Sequence, residues 1–132
     1  MTVAEFASGV AAALPATPAG VRVAGDPERL VRRVAVCGGA GDSLLEAAAA
    51  AGVDVFVTAD LRHHPASEHQ SAGGPALIDP GHFASEWPWL PLAAQRLTDA
   101  LADRGTTVET RVSTVVTDPW SALVTADPKE QP

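Results

Sequence analysis

The residues best suited to chemistry lie between Asp60 and Glu86. All four histidines of the chain fall in this interval, with acidic side chains among them. Neutral imidazole and carboxylate are common ligands of catalytic metals, so the composition suits a metal site. It equally fits a second interpretation, in which His63, His64 and His69 are surface groups beside an exposed helix. Composition alone leaves both interpretations open.

One pair in this interval has a spacing that suits a shared cation. His82 and Glu86 are one helical turn apart, so on a helix both side chains would stand on one face. Alternatively, Glu86 only favours the positive end of the helix dipole. His64 and Glu68 have the same spacing, but a residue that precedes proline favours an extended backbone, and Pro65 follows His64. The metal hypothesis is therefore stronger for His82.

Two predicted strands position these side chains. Val53–Val57 and Ala76–Asp79 are short and apolar, and polar residues follow both. In open α/β sheets the ligand crevice lies beyond the carboxyl ends of the strands. The residues delivered there are Asp60, His63 and His64 after the first strand, and Asp79 and His82 after the second.

The rest of the pattern alternates between helix and strand. This predicts an α/β fold, a layered sheet flanked by helices, in one domain spanning 1–120 with a loose tail at 121–132. The predicted elements are helix Val3–Leu14 preceded by Thr2, strand Val21–Ala24, strand Val31–Cys37, helix Leu44–Ala51, helix 65–72, a helix from Gly81 to Gly105 jogged near Pro88 and Pro91, and strand Thr106–Val116. Val21–Ala24 and Thr106–Val116 are the candidates for an antiparallel edge strand.

A glycine-rich stretch, Gly38–Gly41, follows the strand that ends at Cys37. Backbone amides at a helix N-terminus attract anions, which would suit a phosphate loop. The stretch lacks the lysine of such loops, and Asp42 would repel phosphate. We interpret it as a strand-to-helix turn in which Asp42 or Ser43 caps the helix, with a minor role in holding substrate left open.

Charge and composition exclude some functions. The net charge is −7 with nine Lys and Arg, none of them in runs, which argues against nucleic-acid or membrane partners. The single Cys37 excludes an internal disulfide and favours the cytoplasm. We interpret Cys37 as a small buried residue rather than a thiolate ligand. Trp87, Trp89 and Trp120 favour core or interface packing over substrate stacking.

Four motifs together resemble a known family. They are V-A-V-C-G-G-A-G-D-S-L (34–44), D-V-F-V-T-A-D-L-R-H-H (54–64), L-I-D-P-G-H-F-A-S-E (77–86) and T-D-P-W (117–120). The segment from about Val21 to Trp120 is similar to the C-terminal half of the NIF-three-like dinuclear-metal hexameric family, often labelled GTP cyclohydrolase 1 type 2 homologue. The resemblance therefore implies one lobe of a two-lobe fold.

The resemblance also implies ligands and partners. Two α/β lobes would enclose two divalent cations, Zn, Mn or Fe, in a toroidal hexamer, with His82 and Glu86 as metal ligands. Asp60 and His64 would be catalytic residues at the pocket edge, with His63 beside them and Ala59 replacing the usual glycine. The ligands of the first lobe are missing from this chain, so a companion lobe is an expected partner.

Two functions follow from the resemblance. The first is half of the dinuclear site of a metal-dependent hydrolase that acts on a small molecule. The alternative is a non-catalytic structural or assembly domain with an incomplete metal site.

Overall fold

The computed structural model describes residues 1–125, which form a four-stranded sheet with helices on both faces. Its strands are β1 (Arg22–Ala24), β2 (Val34–Ala40), β3 (Val55–Ala59) and β4 (Ala76–Asp79). Its α-helices are α1 (Val3–Ala13), α2 (Leu45–Ala50), α3 (His63–Ser71), α4 (His82–Glu86) and α5 (Trp89–Ala102), and a short 3-10 turn over Asp42–Leu44 precedes α2.

The strand order is β1-β4-β3-β2. β2, β3 and β4 are parallel, and β1 is an antiparallel edge strand that pairs Arg22 with Asp79. The layered α/β fold and the antiparallel edge at the start of the chain are therefore confirmed. Because β3 and β4 are neighbours and parallel, their carboxyl ends meet at one edge of the sheet.

The alternation of side chains along β3 and β4 creates two cores, one on each face. Val55, Val57 and Ile78 pack with α1, whereas Phe56 and Leu77 pack with α2. Every residue of β3 and β4 is buried, as expected for central strands covered on both faces. Cys37 was predicted to be buried at a strand end, but it lies within β2 and is only half-buried, against the second core.

The first helix begins as its sequence predicts. The side chain of Thr2 accepts a hydrogen bond from the amide of Glu5 at 3.2 Å, and the Glu5 carboxylate accepts one from the Thr2 amide at 2.8 Å. This capping box satisfies two backbone donors that the helix itself cannot. From this start, α1 packs against β3 and β4 through Val3 and Ala7.

The predicted turn at the glycine-rich stretch is wrong. β2 continues through Gly38 and Gly39 to Ala40. The predicted cap is also absent, because neither Asp42 nor Ser43 accepts a hydrogen bond at the start of the helix. Asp42 instead pairs with Arg62, with Oδ2 2.7 Å from Nε.

Two further predictions of local structure are wrong. His64 is helical, because α3 starts at His63 and contains Pro65 in its first turn, where the missing amide would have no partner in the helix. Thr106–Val116 forms no strand.

Of the predicted tail, residues 121–125 are irregular and residues 126–132 lie outside the described part. Within the described part, no helix is long and apolar enough to span a membrane.

Candidate functional site

The candidate site forms where β3 and β4 end. Asp60 follows β3 with φ of +56°, a left-handed conformation that Asp adopts more readily than most residues. His82 begins α4, and its Nδ1 lies 2.7 Å from Oδ2 of Asp60. Its Nε2 lies 3.2 Å from Oε2 of Glu86, one turn further along. The structure thus brings Asp60, His82 and Glu86 together in one row.

The two carboxylates favour a charged imidazole. The hydrogen bond to Asp60 is the largest cause that raises the pKa of His82, and the negative charge of Glu86 adds to it, while partial burial opposes both. When Nδ1–H donates to Asp60, Nε2 is the nitrogen left to hold either a proton or a cation. About half of the surface of all three side chains is exposed, so a ligand can reach them.

Asp79 fixes the backbone around this row. It is 4% exposed, and its Oδ1 accepts a hydrogen bond from the amide of Gly81 at 2.9 Å. Its Oδ2 accepts one from Leu61 at 3.2 Å and pairs with Arg22. One carboxylate therefore ties the residues after Asp60 to the start of α4. Sequence reasoning did not assign this role, although Asp followed by Pro-Gly is a turn signature.

The glycine-rich end of β2 lies against α4. The amide of Gly39 donates to the hydroxyl of Ser85 at 2.9 Å, so it is already occupied and does not face a phosphate. A Cβ on Gly39 would lie 2.5 Å from Oε1 of Glu86 and 3.4 Å from Cε1 of His82. The absence of a side chain at Gly39 therefore leaves the room that the Glu86 carboxylate uses.

A cavity of about 850 Å³ opens beside the row. Asp60, His82 and Glu86 line it together with the three tryptophans, Trp87, Trp89 and Trp120. Trp89 and Trp120 are 59% and 67% exposed, so they are not core residues. Interface packing and substrate stacking both fit their position.

The other histidines lie elsewhere. His63 and His64 are exposed on α3 with their rings edge to face at 5.2 Å, and the walls of the 850 Å³ cavity do not include them. The catalytic role of His64 stays a prediction. His69 was expected at the surface but is half-buried. Its Nε2 lies 3.2 Å from the carbonyl oxygen of Pro75.

The described residues do not contain a complete metal site. Across residues 1–125, no group of three or more His, Cys, Asp and Glu side chains has an arrangement that could hold a metal ion. Structural and catalytic zinc sites use three or four protein ligands. The His82–Glu86 pair would therefore need further ligands from outside this part of the chain.

Comparison with known proteins identifies the family. The family model described as Duf34/NIF3 (NGG1p interacting factor 3) matches residues 1–119. The chain belongs to this family. The matched region includes α1, whereas the motifs indicated a match only from about Val21.

Relatives and solved structures agree with this assignment. A Streptomyces coelicolor protein named GTP cyclohydrolase 1 type 2 homolog is 54% identical over 129 residues, and a Bacillus subtilis protein of the same name is 37% identical over 123 residues. These matches cover 97% and 93% of this chain but only 45% and 32% of the relatives. The crystal structure of a Bacillus cereus protein related to NIF3 has a TM-score of 0.82 at 30% identity, covering 93% of this chain and 33% of that one. The chain thus spans less than half of these DUF34/NIF3 proteins.

Proposed function

We propose that this chain supplies half of a dinuclear metal site in a metal-dependent hydrolase. His82 and Glu86 are the ligands that it contributes. The observation that supports this most directly is the position of the His82 ring, which Asp60 holds on one side while Nε2 and the Glu86 carboxylate lie side by side. Paired imidazole and carboxylate donors suit Zn, Mn or Fe.

The surroundings of the pair fit a cation. Asp60 fixes the ring through Nδ1, which is the usual arrangement of a metal-bound histidine and a carboxylate partner. A side chain at Gly39 would occupy the space beside the Glu86 carboxylate. Both features leave the two donor groups accessible from the cavity.

In the proposed hydrolysis, the cations and the protein side chains would have different roles. Two adjacent cations would lower the pKa of a bound water and polarise a substrate for hydrolysis. Asp60 orients the His82 ring and moves protons at the pocket edge, whereas His64, the other candidate for proton transfer, lies on α3 outside the cavity wall. The 850 Å³ cavity is large enough for a small-molecule substrate.

The remaining ligands come from a companion lobe. This chain covers 45% of the Streptomyces relative, which leaves room in such proteins for a second domain. The two-lobe protein assembles as a hexamer in the cytoplasm. Such an assembly would place the exposed tryptophans of the cavity at a contact between lobes.

The small number of metal ligands in this chain supports a second function. Because residues 1–125 contain no three-residue metal cluster, this lobe would serve on its own as a structural or assembly domain without catalysis. The two functions differ in metal content and in turnover. Both can be measured on the 132-residue chain and on its complex with the companion lobe.

Metal content tests the first proposal. The chain in complex with the companion lobe is loaded with Zn²⁺ or Mn²⁺, dialysed and analysed for metal, alongside the complexes of His82→Ala and Glu86→Ala. The control is His63→Ala, since His63 is exposed on α3 and lies outside the cavity wall. We expect metal in the parent and the control and a loss in both site variants. Less than about a tenth of an equivalent in the parent would contradict the metal proposal.

Turnover separates hydrolase from structural domain. Nucleotides and phosphoesters are screened with added Mn²⁺ or Zn²⁺, using the chain together with a companion lobe. Catalysis at this site requires Glu86→Ala to lower the rate while His63→Ala leaves it unchanged. A rate unaffected by Glu86→Ala would exclude catalysis here and leave the structural function.

A further inference from the structure

Gly39 lies where the pairing of β2 with β3 is irregular. The register of the two strands shifts between Val36 and Ala40, and Gly39 has φ of +70°. Irregular pairing of this kind, as in a β-bulge, takes backbone groups out of the regular ladder and is frequent beside functional sites. Gly39 is buried, so its amide and its carbonyl need other hydrogen-bond partners.

Two side-chain hydroxyls supply these partners. The Gly39 amide donates to Oγ of Ser85 at 2.9 Å, and the Gly39 carbonyl accepts from Oγ1 of Thr58 at 3.0 Å. The Ser85 hydroxyl also donates to the carbonyl of His82 at 2.9 Å, so it acts as both donor and acceptor. Thr58 belongs to β3 and is fully buried. Hydrogen bonds therefore run from β3 through Gly39 to α4.

Helix α4 depends on contacts of this kind for its position. It has five residues and no side-chain cap at its start. A helix of this length is not stable by itself, because the first turn orders several residues for one hydrogen bond. Its contacts with β2 and β3 must therefore hold it in place. Ser85 provides one of these contacts and directly precedes Glu86 in the chain.

We propose that Thr58 and Ser85 are positioning residues of the candidate metal site. Ser85 ties the backbone of His82 to Gly39, and Thr58 fixes Gly39 beside the Glu86 carboxylate. Together the two hydroxyls hold Nε2 of His82 and Oε2 of Glu86 side by side, 3.2 Å apart, without binding the cation themselves. The inference rests on the proposed function, because it requires the pair to hold a metal. It uses no contact with the companion lobe.

Removing either hydroxyl tests the positioning role in the complex with the companion lobe. The Kd for Zn²⁺, measured by competition with a chelator, should rise roughly 10-fold to 100-fold in Ser85→Ala and in Thr58→Val, which replaces the hydroxyl with a methyl group. Ser85→Thr and Thr58→Ser keep a hydroxyl and should bind Zn²⁺ as the parent does. Ser8→Ala is the control, since the Ser8 hydroxyl donates to a carbonyl of its own helix, that of Ala4.

Urea unfolding separates positioning from packing. Thr58→Ser deletes a buried methyl group, so it should lower the urea midpoint while the Kd for Zn²⁺ stays at the parental value. Thr58→Val should raise the Kd. A Kd that follows the urea midpoint across all the variants would assign both hydroxyls to stability alone and overturn the proposal.

Amide exchange gives a readout that needs no metal. In the 132-residue chain, followed by NMR, the Gly39 amide should exchange roughly fivefold faster in Ser85→Ala, because its acceptor is gone, and at the parental rate in Ser85→Thr. Unchanged exchange in Ser85→Ala, or an unchanged Kd in a complex that binds Zn²⁺, would overturn the positioning role and leave the metal proposal intact. A parent complex that holds no metal would instead contradict the proposed function, and the positioning role with it.

Discussion

Asp60 and His82 follow different strands, yet Oδ2 of Asp60 and Nδ1 of His82 lie 2.7 Å apart. The contact depends on the parallel pairing of β3 with β4, which brings both carboxyl ends to one edge. Glu86 joins them because it lies one turn along α4 from His82. The parallel pairing in the sheet therefore places Asp60 beside His82, and helix α4 places Glu86 beside His82.

Metal affinity should increase with pH. Asp60 and Glu86 raise the pKa of His82 above its ordinary value of 6.5, so a proton competes with a cation for Nε2 at neutral pH. Calorimetric titration with Zn²⁺ should give tighter binding as pH rises through the raised pKa. Asp60→Asn should lower that pKa, as followed by NMR of the imidazole. An affinity that does not change with pH would contradict competition at His82.

The stability of the metal-free protein should show the opposite dependence. A raised folded-state pKa means that the charged ring stabilises the fold fully below about pH 6.5, its value in the unfolded chain, and that this contribution is lost as pH rises through the raised value. Urea unfolding of the parent and of His82→Gln should therefore differ most at low pH. The two should converge at alkaline pH, and a constant difference would assign the effect to packing.

Gly39→Ala should remove metal binding. Its Cβ would lie 2.5 Å from Oε1 of Glu86, and φ is +70°, a strained conformation for alanine. Gly73→Ala is a matched control, because φ is +76° and nothing lies within 4 Å. Both variants should lose about 1–2 kcal/mol in the free energy of unfolding from backbone strain. Only Gly39→Ala should also lose metal, as measured by elemental analysis.

Two other glycines should respond in opposite directions to alanine. A Cβ on Gly41 would lie 2.0 Å from Oγ1 of buried Thr58, so Gly41→Ala should cost about 1–3 kcal/mol or more by overpacking. Gly9 lies within α1 with nothing within 4 Å, so Gly9→Ala should gain about 0.5–1 kcal/mol. Chemical unfolding measures both. A neutral Gly41→Ala would mean that Thr58 can move away.

Asp79→Ala should cost more stability than Arg22→Ala. Removing Asp79 leaves the amides of Leu61 and Gly81 without their acceptor, and we expect a loss of about 2–4 kcal/mol. Removing Arg22, whose side chain is 64% exposed, leaves both of those hydrogen bonds in place. Denaturation of the two variants measures the difference. Equal losses would show that the ion pair, rather than the turn, dominates.

Much of this architecture follows from short-range patterns. The capping box at Thr2, the limits of β4 and the shared face of His82 and Glu86 depend on residues close in sequence, and all three were predictable. The antiparallel placement of the first strand was also expected. These features need little information about distant parts of the chain.

The predictions that were wrong concern residues whose local structure depends on contacts with distant parts of the chain. Gly38 and Gly39 usually favour a turn, but β2 continues through them and lies against α4, where a side chain at either position would be crowded by Ser85 or Glu86. Thr106–Val116 has strand propensity, yet a strand needs a neighbour to pair with, and within the described part no backbone hydrogen bond joins positions 107–116 to another strand. Asp42 was expected to cap a helix, but Arg62 from another element binds it instead.

The tryptophan-lined cavity also makes the protein its own optical sensor. The chain has three tryptophans and no tyrosine, and all three tryptophans line that one cavity. Emission excited in the near ultraviolet therefore originates entirely at the candidate site. A cation, a small molecule or a docking lobe that enters the cavity should shift this emission without any labelled residue.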